Sequence, residues 1–314
     1  MTVKECYLAG MKEMYHICFT SHEEVMFRDR EDHDMFINTM ALQSFSSGTE
    51  ILADAEMSTH VHQAVFTDCP AEIARRERMS YTKYFNKKYG RQGRFGQKYT
   101  FVVLVLGIYH ILAMIAYVLR NGLHHGAAPT AFGYPFCSVR DMFAEDLGFC
   151  QDLAVPMSRQ DIASRLPRYS EFPDSYQMNE RGVFVRSSFM ELRRTEQFFS
   201  TPRNYLYQMN RLTEESWIKE QLKDQTGQPI TIADIEQADE RTVAQMLNNE
   251  YGRNFSRTRL QDMDVCALID KDLIRPYGVQ SVYQLTDSQK NRIARQLKND
   301  FHVPDAQISR CLVL

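Results

Sequence analysis

The chain has 314 residues, enough for two domains of ordinary size. Its 37 basic and 40 acidic residues give a net charge of −3, which excludes a molecule-wide field drawing it to nucleic acid or acidic lipid. Seven cysteines without a CxxC pair argue against a disulfide framework, and the charge-interrupted N-terminal stretch lacks the apolar core of a signal peptide, so a cytoplasmic protein with reduced thiols is expected.

In chain order, Tyr15–Thr20 (YHICFT) predicts a strand, and the apolar residues Met35, Phe36, Ile37, Met40, Leu42 and Phe45 predict a helix closed by Gly48. Thr49–Ala55 and Met57–Thr67 predict two further strands. The second contains His60, Val61 and His62, and a period of two sets both histidines on one face. Pro70 and Gly90 then bracket an amphipathic helix.

Between positions 75 and 98 stand nine basic residues, Arg75, Arg76, Arg78, Lys83, Lys87, Lys88, Arg91, Arg94 and Lys98, against one acid, Glu77. Tyr81, Tyr84, Phe85, Tyr89 and Phe95 are interleaved with them. Two readings stand side by side: a phosphate-binding surface with aromatics that stack on unpaired bases, or a solvated helix face with core aromatics behind it.

Tyr99–Leu119 contains no Asp, Glu, Lys or Arg and is long enough to suggest a membrane span. Residues 99–106 (YTFVVLVL) instead read as a buried strand, Gly107 as a break and Ile108–Asn121 as a buried helix, so no membrane segment is expected. On that helix Tyr117 and Asn121 are one turn apart and share a face, a phenol beside an amide oxygen.

Beyond Cys150 charges rise and apolar runs shorten. The organisation expected is a first domain over 1–150, a connecting region over 151–212 and a helical C-terminal region over 213–314. Helices are predicted at Glu214–Lys223 and Ala238–Glu250. Residues 286–313 read either as a DNA-reading helix-turn-helix, with Lys290, Arg292, Arg295, Lys298 and Arg310 outward, or as an ordinary helical hairpin.

His-X-His alone is a weak signal, since two ligands are too few to hold a cation. In context, MSTHVHQAVFT (57–67) resembles the MPNHVHLLV strand of single-tyrosine HUH transposases. Residues 81–99 (YTKYFNKKYGRQGRFGQKY) resemble the basic helix and loop of the branch called REP-associated tyrosine transposases, and residues 117–126 (YVLRNGLHHG) resemble its YIxxNPxxxG tyrosine helix. YHICFT, FRDREDHDMFINTM (27–40) and YPFCS (134–138) follow in the family's order, so the resemblance spans roughly residues 10–145.

The resemblance implies a ferredoxin-like α/β domain whose central antiparallel sheet carries His60 and His62, flanked by the helix bearing Tyr117. It implies Mg²⁺ or Mn²⁺ held by His60, His62 and Asn121, with Tyr117 as nucleophile toward single-stranded DNA. It further implies a 5′-phosphotyrosine intermediate with a 3′-OH released, recognition of a DNA hairpin, a homodimer, and a bacterial cytoplasm with nucleoid association. The chain departs from the family pattern at Ser58 and Thr59 (Pro-Asn in the family), Gln63 (apolar) and Gly122 (Pro). Two other readings use the same residues: a domesticated, catalytically silent DNA-binding protein, and a metal-dependent hydrolase without a tyrosine intermediate.

Overall fold

The computed structural model describes residues 12–21, 24–96, 100–148, 153–210, 214–227, 229–230 and 260–314. Strand β1 (Glu13–Thr20), helix α1 (Arg30–Ser47), strands β2 (Glu50–Met57) and β3 (His60–Thr67), helix α2 (Pro70–Tyr89) and strand β4 (Phe101–Leu104) follow in order. The four strands pair antiparallel in the order β2-β3-β1-β4. This is the βαββαβ connectivity of a ferredoxin-like sheet.

Local chemistry explains the element ends. Asp29 caps α1 by accepting from Asp32 N while the Asp32 side chain accepts from Asp29 N, and Gly48 and Gly90 close α1 and α2 in the left-handed conformation. The outer edge of β2 is sealed by residues 136–138. Glu56 N donates to Phe136 O at 2.9 Å, Asp54 N donates to Ser138 Oγ at 2.9 Å, and Ala55 bridges Cys137.

The charge-free stretch is cut at Gly107, as its sequence predicts: β4 ends before it and helix α3 (Ile108–His124) begins after it. Every residue from Ala113 to Gly122 is buried. The sheet lies on one side of α3, and α4 (Leu192–Phe199), α5 (Pro202–Asn210) and α6 (Glu214–Gln221) pack against it as well. From Ala113 on, a helix covered on every face needs apolar residues all round, which accounts for the missing charges there, while Ile108 and Tyr109 in its first turn stay exposed. Among the described residues no helix is long and apolar enough to cross a membrane.

Residues 153–210, expected to connect two domains, contribute to the core of the first. Met178, Phe184, Phe199 and Tyr205 belong to the same buried cluster as Ile51, Phe85 and Tyr117. Arg186 lies between the carboxylates of Asp54 at 2.9 Å and Glu56 at 3.3 Å. The helix expected at Ala238–Glu250 lies outside the described residues.

At the C-terminus α7 (Asp262–Leu268), α8 (Asp287–Phe301) and α9 (Asp305–Leu312) enclose a second core, into which Val25 of the sheet domain inserts. The expected hairpin forms, with Thr286 capping α8. Its cations divide. Arg292, Arg295 and Lys298 are exposed, whereas Arg310 turns in to bond Asp262 at 2.6 and 2.7 Å and Lys290 donates to Val313 O.

Candidate active site at the histidine strand

The register that pairs Cys18 with His62 and Ala55 with His62 puts His60 and His62 on the sheet face opposite Glu56 and Gln63. Glu56 meets His33 of α1 on its own face, at 2.8 Å. Helix α3 covers the histidine face. There the Tyr117 ring stands perpendicular to that of His62, with centroids 5.5 Å apart, and the His60 and His62 rings are 4.9 Å apart. His125, at the end of α3, stands over His60 at 5.2 Å. Asn121 is one turn beyond Tyr117 and one turn before His125, so it shares their face, which looks onto the histidine strand.

Of the four residues singled out in the sequence, His60, His62 and Tyr117 meet between β3 and α3, and Asn121 lies one turn further along α3. Three that were not singled out join them: His16, whose Nε2 lies 3.0 Å from His62 Nδ1, His125, and Arg120, whose guanidinium lies 5.7 Å from the Tyr117 ring centroid. His16 was hidden because strand pairing, not spacing along the chain, brings it beside His62.

The site is dry. Tyr117 and His16 are 0% exposed and His62 and Asn121 1%, with His60 half-buried. Burial disfavours the charged form of three of these imidazoles: it lowers His16 to about 3, lowers His62 well below the usual range with help from His60, His16 and His125, and lowers His125 to about 4 with help from Arg120. A neutral imidazole keeps a lone pair for a cation.

Two acceptor atoms suit that use. His62 Nε2 and Asn121 Oδ1 are buried without a hydrogen-bond partner, while the Asn121 amide is fixed by donating to the carbonyls of Tyr117 at 3.0 Å and Val118 at 3.1 Å. No group of three or more His, Cys, Asp or Glu side chains suited to sharing a metal occurs among the described residues. Any cation here would therefore depend on the amide oxygen as well as the imidazoles.

The basic helix follows the bland reading for its aromatics and divides its cations. Tyr81, Phe85, Tyr89 and Phe95 are buried, and the half-buried Tyr84 donates to Asp32. Stacking on bases by the four buried rings is thereby corrected: they fill the core between α2 and its neighbours. Arg75 and Arg76 pair with Glu72, Lys88 with Asp29, Glu31 and Asp32, and Arg91 with Glu24. Lys83, Lys87 and Arg94 stay exposed with no ion pair among the described residues; Arg78 is partly buried beside Arg94, and Lys98 lies outside the described residues.

No family model and no curated protein matches the chain. Among solved structures, a REP-associated tyrosine transposase bound to a REP hairpin is similar to it over 48% of this chain and 88% of that one, at 14% identity and a TM-score of 0.36.

Proposed function

We propose that the protein is a metal-dependent nickase and strand transferase of single-stranded, hairpin-bearing DNA, with Tyr117 as nucleophile and His60, His62 and Asn121 as the ligands of Mg²⁺ or Mn²⁺. The observation that carries this reading is the perpendicular approach of Tyr117 to His62 at 5.5 Å, with the unpartnered Asn121 oxygen one helical turn away. A phenol with an ordinary pKa of about 10 is a poor nucleophile at neutral pH, and a neighbouring cationic centre reduces the cost of its ionisation.

In the proposed reaction Tyr117 Oη attacks the scissile phosphorus. The bond from phosphorus to the 3′ oxygen breaks, the chain becomes linked through a 5′-phosphotyrosine, and the proton given up by the phenol balances the one that the departing 3′ oxygen takes up as a 3′-OH. A divalent cation, held by His60, His62 and Asn121, would supply charge stabilisation for the phosphate. Asn121 and His62 orient, and Arg120 adds a fixed positive charge beside the phenol. Lys83, Lys87 and Arg94 offer phosphate contacts on α2.

The complete burial of Tyr117 favours a second reading, a DNA-binding protein that keeps the fold without turnover. On the first reading the substrate must displace part of the cover over α3; on the second it never reaches the phenol.

Incubation with Mn²⁺ and a labelled single-stranded oligonucleotide carrying hairpins from the flanks of its own gene separates the two. A covalent adduct that disappears in Tyr117→Phe is expected. Binding with no adduct selects the silent protein, and cleavage that persists in Tyr117→Phe overturns the tyrosine mechanism in favour of direct hydrolysis.

A further inference from the structure

His16 occupies the register position on β1 opposite Ala64, while Cys18 is opposite His62, so His16 is a diagonal neighbour of His62 on the same face of the sheet. The two rings are stacked with centroids 5.2 Å apart, and His16 Nε2 lies 3.0 Å from His62 Nδ1. At 3.0 Å a hydrogen on each of the two facing nitrogens would clash, so one of the two must be bare.

Two arrangements satisfy that contact. If His16 donates, the hydrogen of His62 sits on Nε2, where it has no acceptor and blocks the lone pair. If His62 donates from Nδ1, its Nε2 lone pair is left open, and the N–H without an acceptor moves to His16 Nδ1. His60 is held in a parallel way, its Nδ1 lying 3.1 Å from the Thr59 hydroxyl. Both strand histidines are thus anchored through Nδ1.

We propose that His16 is a positioning residue: it accepts the Nδ1 hydrogen of His62 and so fixes the ring angle and tautomer that present His62 Nε2 to a divalent cation. This inference rests on the metal site described under the proposed function. A partner that fixes a ligand's tautomer alters cation affinity about 10- to 100-fold when removed.

The test uses the full chain. In the metal-free protein, long-range ¹H–¹⁵N spectra of the histidine rings should find His62 protonated at Nδ1 and bare at Nε2; the opposite tautomer overturns the proposal. Mn²⁺ titration should then find affinity reduced about 10- to 100-fold in His16→Phe and largely retained in His16→Gln, whose amide oxygen can still accept. Equal affinity in the two variants, each checked for native thermal unfolding, overturns the positioning role. Should the wild-type chain bind no Mn²⁺, the metal-dependent function falls, and the tautomer measurement alone decides His16.

Discussion

Glu77 is the lone acid in the basic run, and it is the side chain that points inward. Ile73, Glu77, Tyr81 and Phe85 recur every four residues and are all buried, so the position of this acid on the apolar stripe of α2 was legible from spacing alone. Gln63 lies nearby and favours its charged form, yet neither Glu77 oxygen is in hydrogen-bonding geometry, and burial raises its pKa to about 8. A carboxyl raised on folding contributes its full stability below the unfolded pKa of about 4.5 and loses it as pH climbs to 8. Glu77→Gln should therefore stabilise the protein by on the order of 3 kcal/mol at pH 7 and by nothing near pH 4, measured as the pH dependence of urea midpoints. The histidine pair and Tyr117 were equally legible, because each sits in a short contiguous motif. His16 was not: the partner of a strand residue is set by register, and register is a property of two strands.

Helix α3 owes its start to a residue far along the chain. Gly107 enters it with φ +93°, too open for a side chain, and Asp224 fills the adjoining space; a Cβ on Gly107 would stand 2.4 Å from the Asp224 carboxyl carbon. Asp224 accepts from Tyr109 N at 3.1 Å and His110 N at 2.8 Å and meets His110 Nδ1 at 2.7 Å, acting as the N-terminal cap that the local sequence lacks. Asp224→Ala should cost about 0.5–2 kcal/mol and lower the melting temperature, with Asp224→Asn milder because its oxygen still accepts. At the other end, Gly122 lies inside the last turn. The helix continues through it to His124, and Tyr134 packs so closely that a Cβ there would meet its own at 2.3 Å. The break at Gly107 was plain in the sequence, whereas neither contact was, since each joins segments that only the fold brings together.

Among the described residues, a buried guanidinium joins the sheet domain to the C-terminal helices. Arg28, 1% exposed, forms a two-pronged bond to Asp270 at 2.9 Å on each arm and donates to Cys311 O, tying the sheet domain to the C-terminal helices. Removing the acid strands a desolvated cation, while removing the cation leaves a carboxylate that is 24% exposed and can hydrate. Asp270→Ala is accordingly expected to destabilise by about 3–5 kcal/mol and Arg28→Met by clearly less, read from denaturant unfolding curves. The succession of strands and helices was legible because alternating apolar residues, prolines and glycines mark the boundaries, whereas the ferredoxin-like arrangement was expected only from the resemblance. The fate of the cations was not, because Lys88, Arg91 and Arg310 are neutralised by carboxylates remote in sequence. The strap formed by residues 136–138 has a further consequence. An open β-sheet invites its own kind at both rims, and a ladder of molecules needs two vacant rims to propagate. With β2 already bonded by its own chain, strand addition to the described sheet is left to β4, and a ladder built through that sheet stops at a pair.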